Sequence, residues 1–435
     1  MTMKKALFIS YYFPPSGGGG VKRPTKYVKF LTAMGWDLTV LTVPEKSYFL
    51  KDDKFLHELP PDLKIIRART LISKKRTDEF RLKSLGKDAK EIGLFAKLKN
   101  RALWIIRDWF FIPDVQVSWI PFALPKAIRA VRKGDIDIIW TKCPPYSVLI
   151  LGALAKFFTG RPWVIDLADP WTLATYAYFP NSISKKINEL MEKRLFKYAD
   201  RIVTVADNIA DDYIAKYPGI DKRKYAVIPN GFDDDDHTEL RPAQNSKFTL
   251  CHTGRIDLAN RDPNNFLESL SRFIADIPDA ESKVQAIFVG GGGEYWLDAV
   301  RKKGLGKIVK FTGNVSHEKS LEYQLTSHLL VLIGGGSKYE QTGKIFEYLV
   351  SEKPILALIG ANTPAAGIIE KTGAGLVISG DEIDRCASVL RDFYDHYKAG
   401  STLWKGRNAE EIDRYNWNNH ALKLHGIFME LNEKA

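Results

Sequence analysis

Along the first half of the chain, short runs of β-branched and apolar residues alternate with longer stretches in which apolar positions return every three or four residues. The short runs, Ala6 to Ser10, Leu38 to Val43, Ile136 to Trp140, Trp163 to Asp166 and Arg201 to Val205, have the length and composition of strands. The longer ones, among them Val21 to Met34, Ser147 to Phe158 and Ser184 to Lys197, read as helices. Strand–helix–strand alternation predicts a parallel sheet with helices on both faces, so this half is expected to be Rossmann-like.

The alternation stops at Pro229-Asn-Gly-Phe-Asp-Asp-Asp-Asp236 and the stretch onward to Ser246, which has the turn-rich composition of a linker. It then restarts, with strands predicted at Phe248 to His252, Val284 to Val289, Ile308 to Phe311, Leu329 to Ile333, Ile355 to Leu358 and Gly375 to Ile378. Two domains follow from this: a Rossmann-like unit over residues 1–235 and a second over 246–405, with a helical tail at 406–435. The tail carries Tyr415 and Trp417 after the second sheet is complete, and is expected to cross back onto the first domain.

Composition agrees with two sizeable cores. The chain has 435 residues, 45% of them apolar and 27% charged, the balance of a globular protein. Cys143, Cys251 and Cys386 are far apart and show no metal-ligand spacing, which argues against a disulfide framework or a structural zinc. The run after Lys4 and Lys5 is too short for a signal peptide and reads as a buried strand of a cytoplasmic protein. No run reaches the roughly eighteen apolar residues that a membrane span requires. The formal charge of +12 favours anionic partners without choosing among nucleic acid, lipid and phosphate.

One segment departs from the alternation. Between Lys74 and Lys99 stand nine Lys/Arg and four Asp/Glu, followed by Leu98, Ala102, Ile105, Ile106 and Trp109 on one helical face. This basic amphipathic element either rests on anionic lipid, with Trp104, Trp109, Phe110 and Phe111 at the interface, or packs on its own domain with its lysines in solvent.

Four clusters have the makings of chemistry. Tyr12-Phe-Pro-Pro-Ser-Gly-Gly-Gly-Gly20 lies between the first strand and a helix that opens with Lys22 and Arg23. Gly18 and Gly19 there allow backbone N–H groups to approach a phosphate, aided by the helix dipole; the spacing is neither a dinucleotide fingerprint nor a P-loop. Asp166-Leu-Ala-Asp-Pro-Trp-Thr172 ends another strand. Asp169 is the preferred acid–base or sugar-hydroxyl ligand, and Asp166 alternatively caps the next element. Thr253-Gly-Arg-Ile256 and Arg261-Asp-Pro263 offer two guanidinium groups, Arg255 and Arg261, whose forked donors suit a diphosphate.

The fourth cluster, Glu340-Gln-Thr-Gly-Lys-Ile-Phe-Glu-Tyr-Leu349, is the most specific. Thr342 is expected to cap a helix beginning near Gly343, placing Lys344 at its positive end and Glu347 one turn further on the same face. A lysine for the diphosphate and a carboxylate for ribose hydroxyls would read a nucleotide in one element. The competing reading is an exposed ion pair worth a few tenths of a kcal/mol. His252 and His317 receive no role.

These elements together resemble the glycosyltransferases of the family 4 type, the glycosyl transferases group 1, over nearly the whole chain. The resemblance is carried by Tyr11-Tyr-Phe-Pro-Pro15 with its glycines and Arg23, Gly35-Trp-Asp-Leu-Thr-Val-Leu41, Ile228-Pro-Asn-Gly231, Thr253-Gly-Arg255, and Thr342-Gly-Lys-Ile-Phe-Glu-Tyr-Leu349 with Lys353-Pro-Ile-Leu356. It implies an α/β, GT-B fold: two Rossmann-like domains facing across a crevice. By the resemblance, the residue matching Glu347 holds the donor ribose, and Arg255, with Arg261 or Lys344, holds the diphosphate. The family's usual Glu-x7-Glu pair would begin at Tyr339, whereas this chain has Glu340. A histidine many relatives carry in the first domain is replaced by Asp166-Leu-Ala-Asp-Pro-Trp171, with Asp169 as the candidate substitute.

The resemblance implies a retaining transferase moving a sugar from a nucleotide-diphosphate sugar to a glycan or lipid-linked acceptor, in polysaccharide or lipopolysaccharide assembly, peripheral on the inner face of a membrane. Asp169, Arg255 and Lys344 are then the catalytic candidates. Gly18, Gly19, Arg255, Arg261, Thr342, Gly343, Lys344 and Glu347 are the donor set, and Arg23, Asp166 and Trp171 the acceptor set. No metal and no cofactor are called for, because cationic side chains can stabilise the leaving diphosphate. A sugar-nucleotide 2-epimerase of the same architecture, and a non-enzymatic basic binding protein, are the alternatives; no nucleic-acid-binding signature supports the latter.

Overall fold

Parallel strands buried on both faces need near-continuous apolar sequence, and the runs above supply it. The computed structural model describes residues 4–71, 111–174, 179–236, 242–258, 261–335, 337–401, 404 and 406–433. They form two compact units. Residues 1–229 and 417–435 make up unit 1, and 230–416 unit 2.

In unit 1 the described elements run β1 (Lys5–Ser10), α1 (Lys22–Ala33), β2 (Asp37–Thr42), β3 (Lys64–Arg67), α2 (Ile120–Gly134), β4 (Ile138–Cys143), α3 (Ser147–Thr159), β5 (Trp163–Leu167), α4 (Ser182–Tyr198), β6 (Arg201–Thr204), α5 (Asp207–Lys216) and β7 (Tyr225–Val227). The sheet order is β3-β2-β1-β4-β5-β6-β7, with every pairing parallel. The order reverses between β1 and β4. Outside such a switch point the loops at the strand carboxyl ends diverge and leave room for a ligand.

Unit 2 repeats the plan with β8 (Phe248–Thr253), α6 (Asn264–Ile274), α7 (Ala280–Lys283), β9 (Val284–Val289), α8 (Leu297–Lys302), β10 (Val309–Gly313), α9 (His317–Thr326), β11 (Leu329–Ile333), α10 (Lys344–Val350), β12 (Ile355–Leu358), α11 (Pro364–Thr372), β13 (Gly375–Ile378), α12 (Ile383–Lys398) and α13 (Ala409–Asp413). Its order, β10-β9-β8-β11-β12-β13, reverses between β8 and β11.

Sequence reading falls short at the two edge strands of unit 1. β3 and β7 were not expected; one is half exposed and the other short, so neither shows a buried apolar run. β4 starts at Ile138, two residues later than read, and continues through Lys142 and Cys143.

The tail divides. Residues 406–416 stay with unit 2, where Tyr415 packs on Phe346, and only α14 (Trp417–Asn432) joins unit 1. Trp417, Ala421, Leu424, Phe428 and Leu431 recur at helical spacing and are buried in the unit 1 core. Phe428 meets Trp36 and Trp140 edge-on, and Trp417 meets Tyr27 in the same way. At about 1.5–3 kcal/mol for each large side chain buried, this stripe is enough to dock the helix. Trp36 Nε1 donates to His425 Nδ1 at 2.9 Å and fixes its rotation.

Candidate functional site

In unit 2 the candidate residues converge at the switch point. After β8 the chain turns at Gly254, at φ +137°, while Gly290, at φ +143°, ends β9. A Cβ on Gly290 would lie 2.2 Å from Gly254 O, so the two strand ends meet backbone to backbone, as only glycine allows. Arg255 follows in solvent. Asp257 and Arg261 exchange backbone hydrogen bonds, and Arg261 is half-buried and close enough to affect the His252 ring.

Helix α10 begins at Lys344 with Gly343 as its N-cap and no side-chain cap. The expected Thr342 cap is not formed: its hydroxyl accepts only a long 3.4 Å bond from Lys344 N. Lys344 Nζ lies 2.8 Å from Glu347 Oε2. The pair is not a solvated bridge, because Glu347 is 7% exposed. Gln324 of α9, fully buried, donates to Glu347 Oε2 at 3.3 Å and to Thr253 Oγ1 at 3.4 Å. Tyr348 of the next position ties α10 to β8, its hydroxyl accepting from Thr253 N at 2.8 Å. Glu340 sits in the loop after β11, its carboxylate accepting from Gly335 N at 2.9 Å, and Tyr339 is buried.

Two residues that sequence reasoning left without a role stand inside this cluster. His252 is buried and its Nδ1 lies 3.0 Å from Val331 O. Burial, with the charges of Arg261 and Lys344, lowers its pKa to about 4, so the ring is neutral. His252 Nε2 and Gln324 Oε1 are buried without a hydrogen-bond partner among the described residues. Such orphaned polar atoms, beside a carboxylate and cations, can be satisfied by an ordered water or by a polar ligand. A histidine closing a buried apolar strand was the available signal.

Unit 1 presents a second cluster. Ser10, Lys142 and Asp166 are register neighbours across β1, β4 and β5. Arg23 Nε and Nη2 pair with the Asp166 carboxylate at 2.9 and 2.7 Å. Arg23 also donates to Ile228 O at 3.0 Å and Pro229 O at 2.9 Å and lies over the Tyr27 and Trp417 rings. Arg23 and Asp166, expected in the acceptor set, are thus 3% and 1% exposed and engaged with each other. They hold the chain where it leaves unit 1 and where it returns.

Trp171, also expected there, is buried. It is stacked on Tyr146, with Nε1 donating to Asn188 at 3.1 Å. Asp169 is the exposed member of its motif, on a turn whose Pro170 O accepts from Tyr146 Oη at 2.9 Å. Gly18 and Gly19 are exposed, with open space where a Cβ would stand. Beneath them Lys142, unforeseen in the sequence, is 3% exposed and donates to Gly20 O at 3.2 Å. Burial pulls its ammonium below the usual lysine range, against Asp169 and Asp166, which favour the charge. A lysine ending a buried apolar strand was the signal for it. The basic element at 74–99 and its aromatics through Phe110 lie outside the described residues.

Against known proteins, the profile of the family described as Glycosyltransferase Family 4 matches residues 17–236. No curated protein sequence matches. Among solved structures, the chain is similar to a glycosyltransferase from Rickettsia africae, at 15% identity and TM-score 0.65, covering 100% of both chains. It is also similar to Anabaena Alr3699/HepE in complex with UDP and glucose, at 16% identity and TM-score 0.64, covering 98% of this chain and 100% of that one. A third is the sucrose-phosphate synthase of Thermosynechococcus elongatus, at 18% identity and TM-score 0.60, covering 99% and 100%. At these identities the likenesses speak to the fold.

Proposed function

From the premise that this chain belongs to Glycosyltransferase Family 4 and is a glycosyltransferase of GT-B fold, we propose that it transfers a sugar, with retention of anomeric configuration, from a nucleotide-diphosphate sugar to a glycan or lipid-linked acceptor. We place it in cell-surface polysaccharide or lipopolysaccharide assembly, on the cytoplasmic face of a membrane. The observation that carries the reading is the first turn of α10. There Lys344 and the buried Glu347 stand together, beside the orphaned polar atoms of Gln324 and His252.

In this reading unit 2 holds the donor. Glu347 accepts from the ribose hydroxyls, and Gln324 Oε1 and His252 Nε2 complete the polar lining. Arg255, Arg261 and Lys344, with the N–H groups around Thr342 and Gly343, stabilise charge that develops on the departing diphosphate, a term that grows towards the transition state. The acceptor oxygen bonds to the anomeric carbon on the face from which the diphosphate departs, and a leaving phosphate oxygen takes the hydroxyl proton. Asp169, exposed at a strand end of unit 1, orients the acceptor through its hydroxyls. Gly18 and Gly19 offer their N–H groups to an anion.

A thermal-shift screen of UDP, GDP, ADP and their sugars against wild type and Glu347→Ala tests the assignment. The uridine series comes first because a similar structure, HepE, was solved with UDP and glucose. One nucleotide series should raise the wild-type melting temperature and leave the variant unmoved. A folded Glu347→Ala protein with unchanged donor response would remove Glu347 from the site. Conversion of a nucleotide sugar without acceptor would favour the epimerase reading.

A further inference from the structure

Helix α4 is inverted. Its inward row at i, i+4 spacing is polar, made of Ser184, Asn188 and Glu192 before Phe196. Asn188 receives Trp171 Nε1. Glu192, fully buried, accepts from Thr172 N at 3.0 Å, Tyr213 Oη at 2.7 Å and Tyr217 Oη at 2.7 Å. The opposite face carries Ile183, Ile187 and Leu190, exposed by 55%, 37% and 48%. An ordinary surface helix buries such a stripe and exposes its carboxylate; here the hydrogen-bond network holds the reverse orientation in place.

The same face is basic. On a helical projection Lys186, Lys193, Arg194 and Lys197 flank or continue the aliphatic stripe, and none of the four makes an ion pair with a described residue. The nearby acidic groups turn away from it. Glu192 is buried, Glu189 lies 3.8 Å from Lys216 Nζ, and Asp200 lies 2.6 Å from Lys156 Nζ. Lys156 Nζ also donates to Tyr198 O at 3.0 Å, which brings the end of α3 beside the end of α4. There Phe157 and Phe158 are 70% and 45% exposed.

We propose that this face, the outward stripe of α4 together with Phe157 and Phe158, docks on an anionic lipid bilayer. Ile183, Ile187, Leu190 and the two phenylalanines enter the headgroup–acyl boundary, and the unpaired cations meet lipid phosphates. Apolar and cationic groups interleaved on one face suit a layered interface, apolar below and anionic above. A protein partner of complementary chemistry would need an acidic apolar groove; a second copy of this chain would bring like charges together. The inference deepens the membrane part of the reading above. It concerns where the molecule sits rather than what it transfers, so lipid binding measured without nucleotide sugar fails or succeeds independently of the chemistry.

The test is co-sedimentation of the full chain with phosphatidylcholine vesicles, with and without phosphatidylglycerol. Wild type should pellet with the anionic vesicles and release as salt rises. Ile187→Ser/Leu190→Ser should weaken binding on the order of tenfold, and Lys193→Gln/Arg194→Gln/Lys197→Gln should abolish the preference for anionic lipid. Both keep the buried face of α4, so the melting temperature should hold; the charge variant carries the test should the aliphatic one unfold. Binding unchanged in both variants would overturn the proposal. So would wild type that ignores vesicles and elutes as a dimer that Ile187→Ser/Leu190→Ser dissociates.

Discussion

Lys344 and Glu347 stand one helical turn apart at the head of α10, Nζ to Oε2 at 2.8 Å, with the carboxylate buried and the ammonium half-buried. In the function proposed above, that asymmetry suits them to different work. A buried carboxylate fixed by Gln324 can read hydroxyls, while a half-exposed cation at a helix N-terminus can meet an anion.

Substitutions at the two should therefore separate. Lys344→Met should cost about 1.5–3 kcal/mol of affinity for a nucleoside diphosphate, roughly ten- to a hundredfold, and little for the nucleoside. Glu347→Gln should weaken both. Titration calorimetry with uridine and UDP, or whichever nucleotide the screen selects, reads the difference; equal losses for the two ligands in Lys344→Met would contradict it.

Arg23 and Asp166 are a different case, since both are sealed from solvent. Asp166→Ala leaves a guanidinium buried without its counter-charge, and the expected loss is about 3–5 kcal/mol of unit 1 stability. Arg23→Met/Asp166→Leu removes both charges and should recover much of that. Urea unfolding checks both, and an Asp166→Ala protein as stable as wild type would refute the pair's anchoring role.

Acid should destabilise unit 2 through His252. Its folded pKa is lowered from 6.5 to about 4, first by burial and then by Arg261 and Lys344. The unfolded chain thus binds the proton more readily. The histidine's contribution is complete above about pH 6.5, declines as pH falls from there to about 4, and levels off below. The full span is about 3 kcal/mol. His252→Asn should lower stability at pH 7 yet flatten this slope, measured by denaturant unfolding across the window. In unit 1, His420, lowered to about 3 by burial and by Arg23 and Lys423, keeps its own slope in that variant.

Two glycines should respond oppositely to alanine. At Gly290 the added Cβ meets Gly254 O and φ is +143°, so Gly290→Ala should displace the strand-end loop and lower the melting temperature. At Gly19 nothing stands within 4 Å, so Gly19→Ala should melt like wild type. If its N–H receives an anion, that variant should nonetheless lose turnover once the donor is identified. A Gly19→Ala enzyme with full turnover would remove this loop from the site.

The sequence was most informative where one local rule governs. The buried strands β1, β5, β8, β9, β11 and β12 were legible because burial on both faces demands a continuous apolar run. The lysine and glutamate of α10 were legible because three residues of helix put them on one face. Edge strands β3 and β7 bury too little to leave such a mark. The inversion of α4 was hidden as well: its periodicity marks two faces, but Ile183 and Ile187 would be assigned inward by any rule that knows only polarity.

Sequence alone thus determined the alternation of strands and helices, the break between the two sheets, and which local motifs carry charge at strand ends. Tertiary structure decided which of those charges are already consumed. Arg23 and Asp166 meet across 143 residues, Trp417 returns to unit 1 while Tyr415 does not, and Lys142, His252 and Gln324 enter the clusters from separate elements. The reason is that hydrogen-bonding capacity is finite and directional, and who occupies it depends on distances that only the folded chain sets.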